Sequence, residues 1–181
     1  MRYCYLPFLS IAIPLVFIVV ASVLSGWFNP LSNALSDLGH SEKSSVAAVF
    51  NTGVVLGGLL AYTVALTSRS TRRSYNAILV FTSVSLVFVG VFNEAYGWLH
   101  LAASILFFMG TAFFLAWMVV VEEGPAVKAL SLVALLVGLA AWILHLAYKI
   151  PRGAAVPELV SIACFTIPYL YTYAFKNPGC R

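Results

Sequence analysis

The chain has 181 residues, of which 62% are hydrophobic and 9% are charged, and its formal net charge is +4. Soluble globular domains contain about half apolar and a quarter charged residues, so this composition predicts an integral membrane protein. It also excludes intrinsic disorder and disulfide-rich secreted modules, and the modest charge gives no reason to expect nucleic acid as a partner.

Six apolar stretches are long enough, or nearly so, to cross the hydrocarbon core of a bilayer, which needs about 20 residues per helix. The predicted spans are residues 5–24, 46–66, 77–92, 98–121, 127–148 and 156–175. We therefore predict an all-α, polytopic fold in which residues 1–181 form a single six-helix transmembrane domain. Since most connections are short, consecutive helices are expected to be antiparallel neighbours.

The distribution of Lys and Arg predicts the orientation of these spans. An N-terminus in the cytoplasm leaves only Lys43, Lys149 and Arg152 outside. The basic residues placed inside are then Arg2, Arg69, Arg72, Arg73, Lys128, Lys176 and Arg181. Because cytoplasmic loops carry an excess of Lys and Arg, we predict a multi-pass protein of the cell membrane with both termini cytoplasmic.

The first outer connection, residues 25–45, is longer than the others. Asn29 followed by Pro30 is typical of a helix start, and Gly39 is typical of a helix end. The apolar residues between them recur at helical spacing: Leu31, Ala34, Leu35 and Leu38. This pattern predicts a short amphipathic helix, about residues 30–38, in the outer headgroup region. Such a helix would serve either as a plain cover of the bundle or as a lid over a site.

Small residues four positions apart predict close helix packing in the membrane. Three such pairs occur: Gly53 with Gly57, Ala112 with Ala116, and Ala134 with Gly138. They indicate how the helices assemble and say little about activity.

The three cysteines have no spacing that indicates a disulfide framework or a thiolate metal site. Cys4 and Cys180 lie near the termini, and Cys164 lies in an apolar stretch. All three are predicted to be free thiols.

Arg69, Arg72 and Arg73 form a compact basic loop after the second span. Basic residues next to the inner membrane surface attract anionic headgroups, by about 1 kcal/mol each. We expect this loop to contact anionic lipids and to set the topology.

The ionisable residues collect on the predicted outer side. All three histidines fall there, and so do four of the six acidic residues, namely Asp37, Glu42, Glu94 and Glu158. His100 and His145 lie inside adjacent helices, roughly 5 Å below the outer boundary at 1.5 Å per residue. An ionisable side chain within a span is by default a candidate functional residue, because exposing it to lipid is costly.

This cluster predicts a metal site at the outer boundary. His40, His100 and His145 are the candidate ligands of a divalent metal such as Zn²⁺, which would activate a water molecule. Asp37 and Glu94 are the candidate catalytic carboxylates. The remaining polar residues of the predicted cavity are Ser36, Asn51 and Glu158. The hypothesis is metal-dependent hydrolysis of a membrane lipid.

Two other classes stay open, so the sequence leaves undecided whether the protein is an enzyme. His100 and His145, at equal depth on facing helices, would suit the axial ligands of a b-type haem. Alternatively, the protein is a non-enzymatic binding or assembly protein whose polar cluster hydrates the end of the bundle. Structural roles also explain single positions, since carboxylates such as Glu94 and Glu158 are favoured in first turns of helices.

Several short motifs carry a resemblance to a known family. They include Asn29-Pro30-Leu31-Ser32, Ser36-Asp37-Leu38-Gly39, Val49-Phe50-Asn51-Thr52-Gly53 and Val89-Gly90-Val91-Phe92-Asn93-Glu94, with His100 following. Over about residues 8–175 the chain resembles the membrane family catalogued as domain of unknown function 998. The resemblance implies six helices and no established activity. It singles out Ser36, Asp37, Asn51, Glu94 and His100.

Overall fold

The computed structural model describes residues 3–176, which contain helices and no strand. The prediction of an all-α fold with six apolar helices long enough to cross a membrane is confirmed. These helices are α1 Leu6–Ser25, α2 Ala47–Thr67, α3 Arg73–Val91, α4 Trp98–Val121, α5 Pro125–Tyr148 and α6 Ala155–Leu170. A π-helical turn, Tyr171–Phe175, extends α6, and two 3-10 helices, η1 Leu35–Gly39 and η2 Glu94–Tyr96, lie in connections.

The third helix begins four residues before its predicted start. Its first turn, from Arg73 to Asn76, is polar and therefore gives no hydropathy signal. The side-chain amide of Asn76 donates a hydrogen bond to the Ser68 carbonyl, 3.0 Å away, which fixes the preceding turn against the helix. Local hydrogen bonding thus extends the helix beyond its apolar stretch.

Helices α1 to α4 pack in chain order, while α5 lies at the periphery against α4 and α6. Gly53 and Gly57 face α1, and a Cβ at either position would collide with Phe17 or Pro14 of that helix. The predicted close packing is confirmed for this pair. At Gly138 of α5, by contrast, a Cβ would meet only the Ser161 hydroxyl at 3.8 Å, so close packing does not require a glycine there.

The connections between the helices lie at two opposite ends of the bundle. The connections α2–α3 and α4–α5 lie at one end with Tyr3 and Lys176, and we call it the terminal end. The connections α1–α2, α3–α4 and α5–α6 lie at the other, which we call the histidine end. Backbone hydrogen bonds join the first and last of these three, from Gly153 to the Leu31 carbonyl at 2.9 Å and from Ala155 to the Asn33 carbonyl at 3.0 Å.

The segment predicted as an amphipathic helix over residues 30–38 has a different form. It starts as a turn in which the Asn29 side chain accepts from the Leu31 amide, and then forms the 3-10 helix η1. Side chains of Asn and Asp that bind nearby amides compete with α-helical hydrogen bonds, which explains the shorter helix. Leu35 and Leu38 are buried against α1 and α2, whereas Leu31 is exposed.

The prediction that the cysteines are free thiols is confirmed for one residue and wrong for another. Cys164 is a free, half-buried thiol, as expected. Cys4 is disulfide-bonded, so the free-thiol prediction is wrong for this residue. Cys180 lies outside the described residues.

Candidate functional site

A cavity of about 800 Å³ lies between α4, α5 and α6 and reaches the histidine end. Polar side chains line its mouth: Ser36, His40, Lys43, Glu94, His100, His145 and Glu158. Below them the walls are mostly apolar, with residues that include Ile105, Phe108, Leu115, Leu135, Leu139 and Trp142. The volume falls within the range of small-molecule sites, about 300–1,000 Å³.

The cavity extends along the helices. Its lining residues on α4 extend from His100 to Leu115, about 22 Å at 1.5 Å per residue. Since a bilayer has a hydrocarbon core about 30 Å thick, this length passes the midplane if the helix crosses the membrane. Met109 and Leu139, partway along α4 and α5, line the cavity and are solvent-exposed, so the cavity is open to the side at their level.

His100 is buried and both of its ring nitrogens are engaged. Its Nδ1 lies 2.8 Å from the Phe92 carbonyl oxygen, and its Nε2 lies 3.3 Å from the Ser104 hydroxyl. Because a carbonyl only accepts, the proton of the neutral ring is assigned to Nδ1, and Ser104 donates to Nε2. His100 therefore joins the start of α4 to the end of α3.

His145 keeps one ring nitrogen without a protein partner. Its Nδ1 donates to the Pro151 carbonyl over 2.9 Å, which by the same argument leaves a lone pair on Nε2. No described residue hydrogen-bonds to that Nε2. The ring lies edge-on to Trp142, whose indole N–H donates to the Ser161 hydroxyl at 3.0 Å. The imidazole is thus held in place at the cavity mouth.

The predicted metal ligands do not form a three-residue group. His40 follows η1, and its Nδ1 accepts from the Glu42 amide at 3.3 Å. Within residues 3–176, no three His, Cys, Asp or Glu side chains form a group that could hold a metal ion. Ligation by His40, His100 and His145 stays a prediction.

Asp37 and Glu94, the predicted catalytic carboxylates, lie side by side. Asp37 Oδ2 accepts from the Asn33 side-chain amide at 3.0 Å and from the Ala34 backbone amide at 2.9 Å. Glu94 Oε2 is buried and receives no hydrogen bond from a donor group. Burial raises the pKa of Glu94 to about 7, with further contributions from the Asp37 charge and a side-chain hydrogen bond to it, opposed by Lys43. At pH values below about 7 the protonated Glu94 therefore donates to the Asp37 carboxylate.

Glu158 connects α6 to η1. It lies in the first turn of α6 and is only 8% exposed. One of its carboxylate oxygens, Oε2, accepts from the Leu35 backbone amide at 2.7 Å. No described residue donates to the other oxygen. Glu158 thus joins the predicted polar cavity and also holds η1 over the bundle.

Of the other two predicted cavity residues, one lines the cavity and one does not. Ser36 lines the cavity. Asn51 is outside the cavity wall, and its side-chain amide donates to the Gly39 carbonyl at 2.9 Å from α2. Asn51 therefore joins α2 to η1.

The cavity also contains functional candidates that sequence reasoning missed: Ser104, Trp142 and Cys164. Ser104 lies four residues after His100, and Trp142 lies three residues before His145. Residues at these spacings share a helix face, so the positions of the histidines were a sufficient signal for both. Cys164 has no such signal, because its place depends on how α6 packs.

At the terminal end, Arg72 lies 3.8 Å from the exposed Glu123 carboxylate, while Arg69 and Arg73 occupy the α2–α3 turn and the start of α3. Contact of these three arginines with anionic lipids stays a prediction. Sequence reasoning assigned this end to topology and to contact with anionic lipids.

A buried carboxylate at this end was therefore missed. Glu122 accepts hydrogen bonds from the Tyr75 hydroxyl at 2.8 Å and from the Lys176 ammonium at 2.6 Å. Burial by itself would raise the pKa of Glu122, but these hydrogen bonds and the charges of Lys176 and Arg72 outweigh it and hold the pKa below its usual range. The group joins α3 and α4 to the end of the α6 extension.

Comparison with protein-family models identifies the chain. The model described as protein of unknown function (DUF998) matches residues 8–174, so the chain belongs to this family. Comparison with curated proteins and with solved structures gives no match. The family has no assigned activity, and the function must be inferred from the site itself.

Proposed function

We propose that this member of the DUF998 family binds an amphipathic membrane lipid in the cavity between α4, α5 and α6. The apolar chain lies along the walls, and the polar headgroup lies at the histidine end. We further propose, from the distribution of Lys and Arg, that this end faces outward, with both termini in the cytoplasm.

The distribution of polar groups along the cavity supports this proposal. The polar lining lies mainly at the mouth, whereas α4 and α5 contribute chiefly apolar and small side chains below it. A ligand that matches both regions has a polar head and an apolar tail. The sideways opening beside Met109 and Leu139 gives such a ligand a path from the membrane.

The observation that carries the proposal is the open space beside Gly138. Ala112, Ala134 and Gly138 all line the cavity, and a Cβ at Gly138 would still reach only ordinary contact distance from Ser161. Small residues of a membrane helix usually bring two helices together. The open space beside Gly138 belongs to a cavity instead, although a larger apolar residue would bury more surface.

Cys164 provides the test, because this free thiol lies in the cavity wall. The rate at which an uncharged maleimide modifies Cys164 is measured by peptide mapping, with and without a single-chain lipid. We expect the lipid to protect Cys164. A Gly138→Phe variant, which fills the cavity, should remove lipid binding, measured directly with a radiolabelled form of the same lipid.

The matched control is Val137→Phe, which adds a similar side chain to the adjacent, exposed position of α5. It should bind lipid like the unaltered protein. The proposal would be overturned if no lipid protects Cys164 or binds the unaltered protein. It would also be overturned if the Gly138→Phe variant binds lipid as well as the unaltered protein does.

Metal-dependent lipid hydrolysis and haem ligation remain further hypotheses for the same end of the molecule. Haem ligation would require His100 to give up its hydrogen bond with Ser104. A metal analysis and an absorption spectrum of the purified protein, repeated for His100→Ala and His145→Ala, test both. Stoichiometric metal or a Soret band that the variants lose would support the corresponding hypothesis.

A further inference from the structure

The mouth of the cavity is rich in hydrogen-bond acceptors that the protein leaves unsatisfied. His145 Nε2 has a lone pair and no described partner, and one oxygen of Glu158 likewise receives no hydrogen bond from a described residue. Glu94 Oε2 is buried without a donor. These groups belong to α5, α6 and η2, and all three residues line the same cavity.

The donors at the same place do not pair with these acceptors. Among the mouth residues they are the exposed Lys43, the Ser36 hydroxyl and the ring N–H of His40, whose Nδ1 accepts from the Glu42 amide, and none of them hydrogen-bonds to His145 Nε2 or to the second oxygen of Glu158. Two further polar hydrogens are already used: Leu35 N–H binds Glu158, and the ring N–H of His145 binds the Pro151 carbonyl. Buried polar groups need partners, and unpaired acceptors beside an apolar cavity are costly unless a ligand or water supplies hydrogens.

Glu158 is the decisive member of this group. More than nine-tenths of its side chain is buried, yet the protein satisfies only one of its two oxygens. A carboxyl group needed only to hold η1 through Leu35 would require no access to a cavity. Its position in the cavity wall therefore points to a ligand as the second partner.

Resting on the proposed function, we infer that the bound lipid has a headgroup that donates a hydrogen bond, through a hydroxyl or amine group, to His145 Nε2 and that also hydrogen-bonds to the second oxygen of Glu158. His145 and Glu158 are the specificity-determining residues of this site. A lipid whose head carries only acceptors leaves His145 Nε2 unpaired and binds more weakly, since a site built to accept a hydrogen bond rejects a ligand that lacks the donor.

The test compares three single-chain amphiphiles of one chain length on the unaltered protein: a monoacylglycerol, a primary alkylamine and a fatty-acid methyl ester. Protection of Cys164 gives the apparent Kd of each. We expect the monoacylglycerol or the amine to bind about tenfold more tightly than the ester, the factor associated with one buried hydrogen bond. The one of these two that binds more tightly shows whether the hydrogen-bond donor is a hydroxyl group or an amine.

A substitution tests whether this headgroup preference depends on His145. His145→Asn keeps an N–H group near the Pro151 carbonyl and removes the acceptor at the Nε2 position. We expect it to reduce the preference for the donor headgroup over the ester about tenfold. The control is Tyr148→Phe, which removes a hydroxyl group from an exposed position of the same helix.

The outcomes separate the two proposals. Equal protection by all three amphiphiles would overturn the headgroup inference and leave lipid binding intact. Protection by none would overturn the proposed function itself. If His145→Asn fails to fold, the comparison of the three amphiphiles on the unaltered protein still decides the inference.

Discussion

Burial and the neighbouring Asp37 carboxylate act on the Glu94 carboxyl in the same direction. Both favour the protonated acid, which raises the pKa of Glu94 to about 7 from an ordinary value of 4.5. The folded protein therefore binds this proton more tightly than the unfolded chain does. The stabilising contribution is complete at pH values below about 4.5 and is lost as the pH rises through about 7.

The Glu94→Gln variant tests this at the residue scale. Its amide donates to Asp37 at every pH, so the fall in stability between about pH 5 and pH 8 should become smaller. At about pH 8 we expect the Tm of the variant to exceed that of the unaltered protein by about 2–4 °C, which corresponds to about 1 kcal/mol for a chain of this size. Thermal unfolding in detergent at both pH values measures the difference.

Glu42 is a suitable control because it is an exposed acid in the same connection as Asp37. The Glu42→Gln variant should follow the pH profile of the unaltered protein. Parallel profiles for Glu94→Gln and the unaltered protein would show that Glu94 carries its charge freely at neutral pH.

At the scale of elements, glycines have opposite roles in α2 and α5. A Cβ at Gly57 would lie 2.7 Å from Pro14 Cγ, whereas one at Gly138 would lie 3.8 Å from its nearest neighbour, Ser161 Oγ. The Gly57→Ala variant should therefore lose about 1–3 kcal/mol of unfolding free energy through overpacking. The Gly138→Ala variant should stay within about 0.5 kcal/mol of the unaltered protein.

Unfolding in a denaturing detergent compares the two variants directly. An equal loss of stability in both would mean that α5 packs as closely as α2 and that the cavity is absent. An unchanged Gly57→Ala variant would remove the close contact between α1 and α2.

The elements themselves were largely predictable from sequence because apolar length is sufficient to define a membrane helix. The polar first turn of α3 escaped this signal, and the helix predicted over residues 30–38 is a shorter 3-10 helix because Asn29 and Asp37 bind backbone amides. Grouping Glu94, His100, His145 and Glu158 at one end followed from topology alone. The cavity did not, since the spacing of Ala134 and Gly138 is the same whether a neighbouring helix or open space lies opposite.

At the scale of the whole molecule, the charge distribution predicts that the histidine end faces outward. The orientation is tested with two single variants, Ser41→Cys at the histidine end and Glu123→Cys at the terminal end. The labelling of each introduced cysteine by a membrane-impermeant thiol reagent is measured. Both positions are exposed. We expect the first to be labelled in intact cells and the second only after permeabilisation, relative to the unaltered protein.

The opposite labelling pattern would reverse the orientation. It would also place the disulfide-bonded Cys4 on the outer side, where disulfides persist. Lipid would then reach the polar mouth of the cavity from the inner leaflet.

Native mass spectrometry of the protein extracted in a mild detergent tests the central claim of lipid binding most directly. We expect the unaltered protein and the Val137→Phe variant to retain about one amphipathic lipid per chain. A cavity of about 800 Å³ has the volume of a site for a single small molecule. The Gly138→Phe variant should be free of this lipid. An unaltered protein without retained lipid, or equal retention by the Gly138→Phe variant, would contradict the proposed function.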